Sequence, residues 1–264
     1  MNAVATATWA MTVRDLKHWY RSKGQVFMAF LQPLMWMTLF GVAMSRFVEG
    51  MSPDVDYFSF LAAGMLVMTA MTAASTAGMS LVWDRRMGFL AKLKAAPVPK
   101  WTIPVAKILS TTIKTLFQCL IILAVAFAAG MQLAPGIGIL GFLTAFAAVV
   151  CVSLAFSSLF VMMGLAIIDK DTLTAANNLL NMPVMFASGI MYPTGNFPEW
   201  LRAIGDVNPL TYAADVVRRS IISPDPALLS LPDLSLGAEL GFCAAISVVM
   251  LVACVAVSVW AIDR

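Results

Sequence analysis

The sequence predicts an all-α integral membrane protein with six transmembrane helices, and three observations carry that prediction. Of the 264 residues, 61% are hydrophobic and only 12% charged, against about a quarter charged in average globular usage. The mean hydropathy is +0.87. The charges are also bunched, leaving 24–45, 57–83, 115–168, 172–198 and 240–262 without Asp, Glu, Lys or Arg. A helix crosses a bilayer core with about 20 apolar residues. Each run fits one crossing except 115–168, which fits two because GMQLAPGIG at 130–138 is a Gly/Pro turn.

Residues 1–24 read as an amphipathic helix lying on the membrane. Trp9, Val13, Leu16 and Tyr20 share one face, with Arg14, Lys17 and Arg21 beside it, a pattern suited to the headgroup layer. This polar start leads at once into a full-length apolar run, so it is not a cleavable signal peptide. The transmembrane domain is 25–264. Span one, 25–45, contains Pro33. Span two, 57–82, carries Ala70, Ala74 and Gly78 at four-residue steps, a row that suits close packing within one subunit or across a dimer.

The segment 84–100, DRRMGFLAKLKAAPVPK, is a charged island between apolar runs. Met87, Phe89, Leu90 and Leu93 recur at helical steps until Pro97 and Pro99 end the pattern. Such an island is an idle connector or a surface for a cytosolic partner, and its apolar stripe favours the partner. Span three, 104–129, places Lys107 and Lys114 on one face, where a lysine snorkels to headgroups or faces a wet cavity. Span four, 138–166, is overlong and expected to tilt or break near its ends. Span five, 173–192, carries Asn177 and Asn181 on one face, as interhelical glue or as pathway lining.

The polar stretch 193–224 is punctuated as two short helices. Pro198-Glu199 opens the first and Gly205 stops it. Asn208-Pro209 opens the second, whose stripe is Leu210, Ala214, Val217 and Ile221. Too short to cross, both are placed as re-entrant outer helices. Span six is 239–261. With both termini cytoplasmic, only Arg46, Arg202, Arg218 and Arg219 of the 17 Lys and Arg fall outside, as the positive-inside rule prefers.

No phosphate loop, HExxH or GxSxG motif occurs, and no acid lies deep in a span. The four cysteines form no CxxC pair, so neither a metal site nor a redox motif is read. Neither catalysis nor self-powered uphill transport is indicated. A non-transporting membrane scaffold is the alternative from another class.

Two motifs carry a family resemblance. Asp84-Arg85-Arg86-Met87-Gly88-Phe89-Leu90 with Ala96-Pro97-Val98 is one. Ser188-Gly189-Ile190, Pro193, Phe197-Pro198-Glu199-Trp200-Leu201 and Asn208-Pro209-Leu210-Thr211-Tyr212 make the other. Both resemble the type-2 ABC transporter permeases of the drug-resistance and nodulation-factor exporter group. The resemblance implies an exporter of hydrophobic or amphipathic compounds (drug-like molecules, lipids or lipid-linked glycans) in a prokaryotic cytoplasmic membrane. It also implies homodimerisation, with spans one and five at the seam, and no nucleic-acid partner. Asp84, Arg85, Arg86, Met87, Gly88, Phe89, Leu90 and Leu93 would form a coupling helix seated in an ATPase subunit, of which two copies dock. ATP and Mg would be held by that partner, with no cofactor in this chain. Pro198, Trp200, Asn208, Pro209 and Tyr212 would belong to the outer motif. Position 86 is commonly acidic in the family and is Arg here, which implies a changed partner surface or another salt-bridge donor.

Overall fold

At the centre of the molecule is the helix that finishes at the charged island, and the other long helices are arranged round it. The computed structural model describes residues 2–51, 56–90, 99–192, 194, 197–222 and 229–263. Among them run α1 (Asn2–Arg21), α2 (Lys23–Met51), α3 (Tyr57–Arg86), α4 (Thr102–Ala128), α5 (Ile139–Ala166), α6 (Lys170–Phe186), α7 (Glu199–Asp206), α8 (Pro209–Ile221) and α9 (Leu236–Asp263), with no strand. Residues 91–98, with the expected Leu93 and Pro97, and Pro193 lie outside the described residues.

α3 begins where Asp56 accepts a hydrogen bond from the Ser59 N–H at 3.2 Å, an N-cap for the orphan donors of the first turn. It packs against α5, α4, α2, α8 and α6. The undecided row of small residues is resolved by its neighbours. Ala70 and Ala74 are fully buried, and a Cβ on Gly78 would collide with the Phe160 carbonyl of α5. From the other side, a Cβ on Gly164 would lie 2.6 Å from the Gly78 carbonyl. The row is an intrachain seam in which two backbones touch.

α5 is one unbroken helix, so of the expected tilt or break no break occurs. α2 likewise continues through Pro33. α6 stops at Phe186, six residues short of the expected end of span five. Beyond it Gly189 turns the chain at φ +65°, a conformation glycine adopts without a Cβ clash. The two short helices form within a residue of where the sequence punctuates them, with Pro198 at the cap of the first and Gly205 inside its last turn. The Asn208 side chain accepts from the Leu210 N–H at 3.0 Å with Pro209 at N1, and Leu210, Ala214, Val217 and Ile221 are all buried.

Among the described residues, four helices, α3, α4, α5 and α9, are long and apolar enough to cross a membrane. The expected first and fifth spans correspond to α2 and α6.

Gly78→Leu is expected to destabilise the detergent-solubilised protein by at least about 1–3 kcal/mol through forced separation of α3 and α5. Gly241→Leu on α9, where a Cβ meets nothing within 4 Å, should leave the thermal midpoint nearly unchanged.

Candidate functional site

The final turn of α3 is where helices distant in sequence exchange charges. Lys107 lies five residues into α4 and is buried. Its Nζ lies 2.5 Å from an Asp84 carboxylate oxygen, 2.8 Å from Asp15 on α1, and 2.7 Å from the Ser80 hydroxyl. Arg14 closes the ring: its Nη2 lies 2.7 Å from Asp84 and 2.9 Å from Asp15. Two carboxylates and two cations thus alternate among α1, α3 and α4. Neither snorkelling nor a wet cavity describes Lys107, whose ammonium is held inside the protein. Burial opposes ionisation of Asp15, but Lys107 and Arg14 outweigh it and hold that carboxyl below its usual range.

The same arginine reaches the island. The Arg14 guanidinium lies 3.8 Å above the Phe89 ring, a cation–π contact. α3 ends in a turn at Met87-Gly88, where Gly88 has φ +69°. Of the apolar residues expected on one protruding face, the three described ones are therefore separated. Met87 is exposed, Phe89 is half-buried under Arg14, and Leu90 is buried beside Leu81, Ile103 and Val161. Asp84, expected to meet a partner, points into the charge ring. Arg85 donates to the Leu165 carbonyl at 3.1 Å, closing the end of α5. Arg86 pairs with Asp169 at 3.0 Å in an exposed ion pair. Asp169 caps α6 by accepting from the Thr172 N–H at 2.8 Å. Its carboxyl is held low by that N–H, by the Thr172 hydroxyl and by Arg86.

Along the span faces, Asn177 is buried and its Nδ2 reaches the Ser75 carbonyl of α3 at 3.5 Å. The Oδ1 atoms of Asn177 and Asn181 are buried without a hydrogen-bond partner. Lys114 is half-buried on α4, below the ring.

The opposite end of the bundle has its own fixed cation. Arg218 on α8 is fully buried, donates to the carbonyls of Gly189 and Ile190 at 2.9 and 2.8 Å, and lies 3.5 Å over Phe60. Asp215, one turn earlier, accepts from the Ser230 and Leu231 N–H groups at 2.7 and 2.8 Å. Both residues were invisible as a pair in the outer-motif reading, although their three-residue spacing puts them on one helix face. Of the expected outer residues, Pro198 precedes α7, and Asn208 and Pro209 open α8. Tyr212 stacks on Phe242 at 4.0 Å and donates to the Asp206 carbonyl, while Trp200 is exposed.

Comparison with known proteins supplies the context. A family model described as ABC-2 type transporter matches residues 6–222, which take in the charge ring, the turn at Gly88 and both short outer helices. A candidate transport permease, ycf38, of Cyanophora paradoxa is 27% identical over 190 residues, 71% of this chain and 64% of that protein. The candidate doxorubicin resistance ABC transporter permease protein DrrC of Mycobacterium tuberculosis is 21% identical over 211 residues, 80% of this chain and 75% of its own. The daunorubicin resistance ABC transporter permease protein DrrB1 of Streptomyces coeruleorubidus is 24% identical over 196 residues, covering 73% and 65%.

Removing one member of a buried ion pair strands the other, typically at about 3–5 kcal/mol. Lys107→Met is expected to lose stability on that scale by denaturant or thermal melting. Adding Asp15→Asn and Asp84→Asn to it should recover part of the loss. The depressed Asp15 carboxyl stabilises the fold above the ordinary carboxylate value, and that contribution is lost as pH falls through its lower folded value. The wild-type melting temperature should therefore carry no Asp15 contribution to its change between pH 8 and 5, and fall below about pH 4. Asp15→Asn should flatten that acid limb.

Proposed function

This chain belongs to the ABC-2 type transporter family, and on that premise we propose that it is the permease subunit of an ATP-driven exporter. Six crossings, with α2 and α6 as the first and fifth, put both termini in the cytoplasm. The Asp84 end is then cytoplasmic, α1 lies in the inner headgroup layer, and α7 and α8 re-enter from the outside. Two copies of the chain form the path and dock two copies of a separate ATPase, which holds ATP and Mg.

The observation that carries this reading is the exposed edge Arg86-Met87 mounted on the charge ring. Met87 projects from a turn whose base is tied to α1 and α4 through Asp84, to α5 through Arg85, and to α6 through Arg86–Asp169. A push on that edge reaches every one of these helices as a rigid-body load. The changed charge at position 86 is then used inside the subunit, since Arg86 finds its acid on α6. Exposed Met35 and Leu39 on α2 and Leu179 and Met182 on α6 support a seam with the second copy. The unpartnered amide oxygens of Asn177 and Asn181 support a polar lining beside it, with Lys114 as a further polar position. The relatives named for doxorubicin and daunorubicin resistance support a hydrophobic or amphipathic drug-like substrate.

In proteoliposomes with its ATPase, Met87→Asp is expected to abolish transport-coupled ATP hydrolysis while leaving expression and melting temperature intact. Phe89 and Leu90 variants are poorer probes, because both side chains also support the fold. Arg86→Asp alone should lower transport, and Arg86→Asp with Asp169→Arg should restore it in part, since the swap also removes the cap on α6. Normal efflux by Met87→Asp would end the docking assignment, and ATP-independent behaviour throughout would favour a scaffold.

A further inference from the structure

We propose that the basic face of α1 is a binding site for the phosphate headgroup of an anionic phospholipid. Arg14, Lys17, His18, Arg21 and Ser22 line an open cavity of about 460 Å³. The first four recur at three- and four-residue steps and so stack along one side of the helix. A second side, with Thr12 and Asp15, is buried against α4. The third presents Trp9 and Tyr20 outward. An apolar side, a protein-bound side and a basic side on one helix leave the basic side in the headgroup layer, at the edge of the acyl region.

What makes this face a site rather than a scatter of surface charge is the electrostatic sum beneath it. The only described acids in contact with this face, Asp15 and Asp84, are already neutralised by Lys107 and Arg14. Lys17 and Arg21 are exposed, Lys23 follows in the next turn, and Lys114 lies half-buried below. Six cations around two carboxylates leave a positive excess that nothing described on the protein balances. A phosphate diester supplies the missing charge and the acceptor oxygens for the Arg21 guanidinium and the Lys17 ammonium. Its acyl chains continue from the cavity along the Trp9–Tyr20 side. A free phosphate shares the headgroup chemistry but has no use for that apolar side, so the lipid is the assigned occupant.

The inference rests on the placement of α1 at the membrane surface, and the test reads the two separately. Purified protein in phosphatidylcholine nanodiscs is titrated with phosphatidylglycerol, and lipid retained per chain is read by native mass spectrometry. Phosphatidylglycerol is expected to be retained at least about 10-fold better than phosphatidylcholine. Lys17→Gln with Arg21→Gln should weaken it about 30-fold, roughly a factor of five per cation, while Lys17→Arg with Arg21→Lys should keep it. Inorganic phosphate at millimolar concentration should not displace the lipid. Equal retention of the two lipids by the wild-type protein, which needs no variant, overturns the proposal. So does unchanged retention by the glutamine variant, and so does displacement by inorganic phosphate. A spin label at Trp9→Cys reports the helix itself: strong collision with oxygen dissolved in the lipid places α1 in the membrane whatever the retention shows. Collision only with aqueous reagents would remove the premise.

Discussion

An ammonium group sealed among apolar helices must be neutralised where it sits, and the architecture of the Asp84 end follows from how Lys107 meets that demand. Desolvating such a charge costs several kcal/mol even after relaxation, and only well-placed counter-charges offset it. The counter-charges come from two other helices, Asp15 on α1 and Asp84 on α3. Two carboxylates around one lysine would leave an excess negative charge, and Arg14 removes it. The geometry of one buried lysine therefore fixes where α1 lies, where α3 ends, and where the turn at Gly88 begins.

The same logic appears at the far end, with different parts. Arg218 is satisfied mostly by backbone carbonyls freed where the chain turns after α6, by the face of Phe60, and by Asp215. Near the Asp84 end, the glycine contact of Gly78 with α5 removes the side-chain layer that would let α3 and α5 slide. With Arg85 also bonded to the Leu165 carbonyl, the two helices are held together at that end as one body. Displacement of the Arg86-Met87 edge is then carried along the molecule instead of being absorbed locally, which is what coupling to a separate engine requires.

Much of this was legible in the sequence wherever the signal was local. Asn208-Pro209 and the stripe Leu210, Ala214, Val217, Ile221 define α8 from caps and period alone, and α1 was readable from its faces. The charge ring was not, because Asp15, Asp84 and Lys107 are far apart in the chain and each looks like an ordinary charge near a span end. With no visible partner, Lys107 leaves snorkelling and a wet cavity both open in the sequence. The geometry of the island is hidden for a related reason. Phe89 and Leu90 keep helical spacing with Met87, but the left-handed turn at Gly88 resets the direction of the chain, and Arg14 covers Phe89 from another helix. The row Ala70, Ala74, Gly78 was undecidable until Gly164 was seen opposite it. The end of α6 moved because Arg218, from a later helix, rewards breaking the ladder at Gly189.

The claim at the centre of this account is that α1 and the turn after α3 form one body with the adjoining ends of α4, α5 and α6. Pulsed electron spin resonance between labels at Lys17→Cys and Met87→Cys, in the reconstituted complex with its ATPase, tests it most directly. The account predicts one narrow distance distribution that is unchanged between nucleotide-free, ATP-bound and post-hydrolysis states, while the Met87–Met87 distance between the two copies shifts. A Lys17–Met87 distance that broadens or moves with nucleotide would show the two elements moving independently and contradict it.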